Sequence, residues 1–164
     1  MEERRKVVED KLKALGFDYK VVEHPETFDT DTADLYIEGH EGCRTKTLFL
    51  VGKKKRNPSL FILDEHKEID LKELGEKVGI KNLHFADFDF MHEVIDLVPG
   101  GVSLFGILND KNHVLSIYID EDMMKEHDII TFLPNVNTAT VFIKKEDMLK
   151  FIESEGYKYE ILNM

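Results

Sequence analysis

The stretch Thr45-Lys46-Thr47-Leu48-Phe49-Leu50-Val51 decides the fold. It is short, rich in aliphatic, aromatic and β-branched residues, and closed by Gly52 and the basic run Lys53-Lys54-Lys55-Arg56. That pattern reads as a buried β-strand. Lys46 is the anomaly, because desolvating an unpaired ammonium inside a strand covered on both faces is expensive. Either its head stays in water at the strand end or it points into a polar pocket. The stretch alone favours the first.

Working outward, Leu60-Phe61-Ile62-Leu63 is the expected hairpin partner across a turn from Lys53 to Pro58. Upstream, Val7, Val8, Leu12, Ala14 and Leu15 recur at helical spacing over Glu2 to Leu15, with Gly16 as the stop. Tyr19 to Val22 reads as a strand ended by His24-Pro25. The acidic, threonine-rich stretch from Glu26 to Gly42 reads as a loop or lid, in which Thr30-Asp31-Thr32 caps a short helix over Ala33-Asp34-Leu35.

Downstream, Asp70 to Val78 is an amphipathic helix stopped by Gly79, and Leu83-His84-Phe85 a brief strand. Asp87 caps a helix with Phe88, Met91, Val94 and Ile95 on one side, broken by Pro99-Gly100-Gly101. Strands are expected over Val114 to Ile119, Ile129 to Phe132 and Thr138 to Ile143, with a helical turn from Glu121 to Glu126. A last helix spans about Lys145 to Glu155, and Tyr157 to Leu162 adds an edge strand. Helices alternate with hairpin-like strand pairs, which predicts a mixed α+β or α/β sheet. With no internal repeat or linker, residues 1–164 read as one domain.

The composition, 42% hydrophobic and 34% charged, is that of a soluble globular chain. No apolar run reaches membrane-spanning length, no signal-peptide core follows the N-terminus, and Cys43 is the one cysteine. A disulfide framework and a cysteine-based zinc cluster are therefore excluded, and a reducing cytoplasm is the expected location. A formal net charge of −11 counts against broad, non-specific nucleic-acid binding, DNA included. It leaves room for a local basic patch, for which Lys53 to Arg56 is the candidate.

Three polar stretches could carry chemistry. Gly100-Gly101 within Val98-Pro99-Gly100-Gly101-Val102-Ser103-Leu104-Phe105-Gly106 permits close approach to backbone amides, although a helix-ending turn is the better explanation of the stretch taken alone. Asn135-Val136-Asn137-Thr138-Ala139-Thr140 enters an apolar strand, where Asn and Thr usually make local capping bonds. The seven histidines show no zincin spacing, so no metal is assigned. Cys43 has no base nearby in sequence, and Ser103 lacks a nucleophile elbow.

Taken together and in order, these stretches resemble a known family. Lys46-Thr47-Leu48-Phe49-Leu50 resembles the Lys-Asn-Leu-Phe-Leu strand of the prolyl-tRNA synthetase-associated editing domains, the YbaK/ProX-like trans-editing deacylases. Pro99 to Gly106 is similar to their Pro-Gly-Ser-Val-Ser-Pro-Phe-Gly loop. Phe132 to Thr140 is similar to their Phe-His-Pro-x-x-Asn-Thr-Ala-Thr segment. The likeness runs from about Gly16 to Tyr157, and length and terminal helix resemble the freestanding ProX branch, which acts on alanyl-tRNA(Pro).

The resemblance implies a mixed, mostly antiparallel sheet flanked by helices and a hydrolase that deacylates mischarged tRNA. A synthetase pocket shaped for proline cannot sterically reject alanine, so errors need a second, hydrolytic site. Water would attack the aminoacyl ester with help from the substrate's own ribose hydroxyl, with no cofactor, metal or protein nucleophile. Lys46 would be the catalytic cation, on the terminal phosphate or the ester carbonyl. Gly100, Gly101 and Val102 would cradle the aminoacyl group with Ser103 beside them, and Asn137 and Thr138 would shape the pocket or hold the terminal adenosine. Lys53, Lys54, Lys55 and Arg56 would touch the tRNA backbone. The expected partners are aminoacyl-tRNA, with tRNA(Pro) favoured, and prolyl-tRNA synthetase, with no membrane.

This chain departs from the family pattern in several places. Leu133 stands where the family has His, Leu104 where it has Pro and Thr47 where it has Asn, and Asp29 precedes Thr30 at a shifted threonine. Cysteinyl-tRNA(Pro) or another small aminoacyl-tRNA stays open as substrate, as does a non-catalytic module that binds aminoacyl-tRNA or a synthetase. An unrelated α/β domain with a strand-end lysine is the third alternative.

Overall fold

A computed structural model describes residues 2–98 and 100–164. The elements run α1 (Glu2–Ala14), β1 (Lys20–Glu23), α2 (Thr30–Tyr36), β2 (Thr45–Val51), β3 (Ser59–Asp64), α3 (Leu71–Val78), β4 (His84–Phe85), α4 (Phe88–Ile95), β5 (Ser116–Asp120), α5 (Glu121–Glu126), β6 (Ile129–Phe132), β7 (Ala139–Lys144), α6 (Lys145–Ser154) and β8 (Tyr159–Leu162). Short 3-10 turns cover Lys53–Lys55 and Leu104–Asn109.

The strands form two sheets, ordered β1-β7-β6 and β4-β2-β3-β5-β8. The β2–β3 pairing is the expected hairpin, with Lys46 opposite Leu63 and Thr47 opposite Ile62. Because paired residues share a face, Phe49 and Val51 join Leu60 and Ile62 in the larger apolar cluster. Leu50, Phe61 and Leu63 join a second cluster under α3. The organising strand is thus covered on both sides, as its continuous apolar run implies. β3–β5 and β5–β8 are parallel while the other pairings are antiparallel, so the fold is mixed.

Two features of this arrangement make room for a site. β4 pairs only with Leu50 and Val51, which leaves the first half of β2 an open edge. Cys43 bridges to Ile130 at the start of that edge, bringing the two sheets together. The Thr131 hydroxyl donates to the Cys43 carbonyl at 3.0 Å and the Thr45 hydroxyl donates to the Thr131 carbonyl, so the junction is stitched by side chains as well as backbone.

Several boundaries differ from expectation, each for a local reason. Asp29, one residue earlier than Thr30, caps α2, its carboxylate accepting from the Thr32 amide at 2.7 Å. α4 stops at Ile95, where Asp96 takes a left-handed conformation, before the Gly pair is reached. The expected break at Pro99 lies outside the described residues. Phe88 is 71% exposed rather than on the buried side of α4, which Met91, Val94 and Ile95 supply. β5 begins at Ser116, because the Asp110 carboxylate takes the amides of Val114 and Leu115 at 3.2 and 3.1 Å. Tyr157, its hydroxyl 2.8 Å from the same carboxylate, precedes an edge strand that starts only at Tyr159.

Candidate active site

A cavity of about 270 Å³ lies against the open edge of β2. Its floor is Thr45 to Phe49, and α2 contributes Ala33, Asp34 and Ile37 as one wall, with Asp29 at the helix entrance. Thr131, Phe132, Leu133 and Thr140 come from the smaller sheet and its turn, Gly100 and Val102 from the loop after α4, and Glu65 from the end of β3. Phe49 offers its carbonyl on this edge, where the Ala86 amide donates to it at 3.1 Å. Antiparallel alternation puts the N–H and C=O of Thr47 on the same edge, beyond the reach of β4. The floor therefore presents backbone donors and acceptors as well as side chains.

The walls are held in place by charged and polar anchors. The Arg44 guanidinium donates to the carbonyls of Ile37, His40 and Gly42 at 2.8, 2.9 and 2.7 Å, fixing the end of α2 against β2. His24 bridges Pro25 and the cavity residue Thr140. The Pro25 carbonyl at 2.9 Å can only accept, so Nδ1 donates to it, and Nε2 shares a hydrogen bond with the Thr140 hydroxyl at 3.0 Å. Gly100 has φ +83°, and a Cβ there would meet the Phe28 carbonyl at 2.9 Å, so this turn requires glycine.

Lys46 does not extend freely into water. It is half-buried, lines the cavity, and its ammonium donates to the Lys67 carbonyl at 2.7 Å. Lys67 is in turn tied to Asp120 and Asp122, both at 2.8 Å. Burial alone would lower the Lys67 pKa, but its hydrogen bonds to Asp120 and then Asp122 outweigh that and draw it up, while the hydrogen bond from Lys67 holds the Asp122 carboxyl below its ordinary value. Of the two readings open for Lys46, the pocket is the one observed.

The other residues picked from the sequence distribute unevenly. Gly100 and Val102 line the cavity with Lys46. Gly101 and Asn137 line a neighbouring cavity of about 490 Å³ that shares Thr27 and Gly100 with the first. Asn137 Nδ2 donates to the Thr27 carbonyl at 2.7 Å, while its Oδ1 is buried with no hydrogen-bond partner among the described residues. Thr138 lines neither; its carbonyl accepts from the His24 amide at 2.9 Å. Ser103 is buried and caps the following 3-10 turn, accepting from the Phe105 amide at 3.3 Å. Lys53 to Arg56 are exposed at the far end of β2, roughly 20 Å from Lys46 at about 3.3 Å per strand residue. Lys55 is partly engaged there, 3.7 Å from Asp87 and over the Phe90 ring.

Cys43 is buried outside the cavity wall, and burial with Asp64 nearby pushes its thiol up to about 12, far from thiolate chemistry. Its sulfur, Asp64 and His127 present donor atoms within 4.8 Å of one another, a grouping of metal-ligand types. Asp64 and His127 already face each other at 3.6 Å, and none of the three lines the cavity.

The residue that sequence reasoning missed is Glu65. Its side chain is 6% exposed, it lines the cavity, and Oε1 has no hydrogen-bond partner among the described residues, the exposed His66 imidazole standing 3.4 Å away. Burial, then the Asp34 carboxyl beside it, push the Glu65 carboxyl up to about 8. In the sequence Glu65 sits in the polar run Asp64-Glu65-His66, which looks like any solvated turn; its following directly on an apolar strand was the available signal.

The model of the aminoacyl-tRNA editing domain matches residues 24–151, which holds every wall of this cavity. The chain belongs to that family. It is 32% identical to the prolyl-tRNA synthetase associated domain-containing protein 1 of Mus musculus, over 98% of this chain and 96% of that one. It is 29% identical to the prolyl-tRNA editing protein ProX of Acetoanaerobium sticklandii, over 94% and 93%. A crystal structure presented as a candidate trans-editing enzyme for prolyl-tRNA synthetase superposes with a TM-score of 0.73 at 24% identity, covering 98% of this chain and 97% of that one. At that identity the superposition speaks for the fold alone. As a member of the editing family the chain is an aminoacyl-tRNA deacylase, an ester hydrolase. No helix among the described residues is long and apolar enough to cross a membrane.

Proposed function

We propose that residues 1–164 act as one trans-editing domain that removes alanine from alanyl-tRNA(Pro) in the cytoplasm, with prolyl-tRNA synthetase as its protein partner. The observation that carries this is convergence: Lys46, Gly100, Val102 and Leu133, distant in sequence, line a single small cavity. Its volume is slightly below the range of ordinary small-molecule sites, which suits a short amino-acid side chain. The names of the mouse and Acetoanaerobium relatives tie those proteins to prolyl-tRNA synthetase and prolyl-tRNA editing, which supports tRNA(Pro) as the carrier.

In this reading the aminoacyl ester lies along the open edge of β2. Lys46 has further N–H donors besides the one given to Lys67, and directs them at the ester carbonyl or the adjacent phosphate. The loop at Gly100 to Val102 closes over the aminoacyl group, Ser103 fixing its far end. Asn137 offers its free Oδ1 in the neighbouring cavity to the terminal adenosine, with Thr138 bracing that turn. Lys53 to Arg56 touch the tRNA backbone. Water is the nucleophile and the terminal ribose hydroxyl assists it, in keeping with the neutral Cys43 thiol and the capping role of Ser103.

Cysteinyl-tRNA(Pro) is the second reading, favoured by the apolar wall of Met91, Phe132 and Leu133, which suits a thiol as well as a methyl group. The test is release of labelled amino acid from alanyl- and cysteinyl-tRNA(Pro) side by side. Faster release of alanine supports the first reading; faster release of cysteine replaces it with the second.

A further inference from the structure

The Glu65 carboxyl has no task in the mechanism above, and it is not an ordinary core group. A carboxyl 6% exposed is normally paired or hydrogen-bonded, because an unsatisfied buried acceptor costs free energy. Here Oε1 accepts no hydrogen bond among the described residues, and the side chain lines the reaction cavity. The charged groups around it are almost all of one sign: Asp34 on α2 beside it, Asp31 at the start of the same helix, and Asp64 preceding it in the chain. The exposed His66 Nε2 lies 3.4 Å from Oε1, outside hydrogen-bond geometry, and the one wall ammonium among the described residues, Lys46, is turned to the Lys67 carbonyl.

Such a pair lacks a compact cation with several N–H donors. Two close carboxyls share a proton when alone, and both ionise when a cation is placed between them. An aminoacyl ester carries that cation one bond away from the carbon that bears the reacting carbonyl. We infer that Glu65, with Asp34, forms the subsite for the α-ammonium group of the aminoacyl ester. This rests on the deacylase reading of the cavity and adds what that reading lacks, the feature that orients the amino acid. Glu65 is then a substrate-binding residue. It fixes which face of the ester meets water while Lys46 acts on the other end of the same group.

Lactyl-tRNA(Pro) tests this, because it differs from alanyl-tRNA(Pro) only in carrying a neutral hydroxyl in place of the ammonium. With each rate taken over the spontaneous hydrolysis of the same ester, because the ammonium alone activates its carbonyl, wild-type protein should favour the alanyl ester about ten- to a hundredfold, the range expected of a charge-assisted hydrogen-bonded pair. Glu65→Gln should bring the two esters to within about threefold of each other by slowing the alanyl ester and sparing the lactyl one. Asp34→Asn, on the more accessible α2, should narrow the ratio in the same direction. A wild type that handles both esters equally overturns the inference while leaving the deacylase reading intact, as does a Glu65→Gln protein slowed equally on both. Release from neither ester by wild type overturns the alanyl reading and the inference with it.

Discussion

The Lys46 ammonium donates to the backbone carbonyl of Lys67 at 2.7 Å, across the hairpin from the strand that carries it. Lys67 is itself held by Asp120 and Asp122, so the acceptor is fixed before substrate arrives. An ammonium anchored by one bond keeps its remaining donors aimed, and a preorganised donor loses less on meeting developing charge than a free one. This explains how a lysine can be tolerated at the entrance of a strand whose remainder is apolar.

Glu65 should make stability depend on pH in a defined direction. Its carboxyl is raised from the ordinary 4.5 to about 8 by burial and by Asp34, so the folded state holds the proton more tightly than the unfolded chain. The stabilisation is complete below about pH 4.5 and is lost as pH rises through 8. Glu65→Gln removes the titrating group and keeps the shape. Thermal melts between pH 5 and pH 9 should therefore show wild type losing stability towards the alkaline end relative to the variant. Parallel curves would mean that Glu65 ionises normally.

Leu133 should set the size limit of the cavity. It stands on the wall with Phe132 and Met91. Leu133→Ala opens space next to the aminoacyl group, and one or a few methylenes in an apolar pocket govern about tenfold or more in discrimination. Hydrolysis of prolyl-tRNA(Pro), the correctly charged species, should rise relative to alanyl-tRNA(Pro) by about that factor. An unchanged ratio would place the amino-acid side chain elsewhere in the cavity.

The basic turn should matter through salt. Lys53 and Lys54 are exposed at the far end of β2 from Lys46, and on a chain of net charge −11 they supply a focused positive field. Replacing both by Glu should weaken tRNA binding and flatten its dependence on ionic strength, by about 0.7–0.9 in log–log slope for each phosphate that is no longer neutralised. Binding that keeps the wild-type slope would remove this turn from the interface.

Much of the fold could be read from local pattern. The hairpin of β2 and β3 follows from two short apolar runs around a basic turn, and α3 from Asp70 and Gly79 at its ends. What could not be read is what depends on distant partners. Asp110 withdraws Val114 and Leu115 from β5 through side-chain bonds that no periodicity reports. Of the residues that line the cavity, Lys46, Gly100 and Val102 were singled out in the sequence because motif order carried them. Glu65 was not, since a buried acid in a polar run looks like an exposed one until α2 is packed over it. Asn137 and Thr138 were legible as a polar cluster, yet Asn137 clamps Thr27 and the Thr138 carbonyl holds the His24 amide, and neither residue lines the main cavity.

The most direct test is single-turnover release of labelled alanine from alanyl-tRNA(Pro) by wild type and Lys46→Ala, with a thermal melt to establish that both are folded. Removing an aimed charge donor of this kind typically costs about 10²–10³ in rate. Wild type should release alanine promptly, and the folded variant should lose at least that order in rate. A folded Lys46→Ala protein that releases alanine at the wild-type rate would contradict a catalytic role for Lys46.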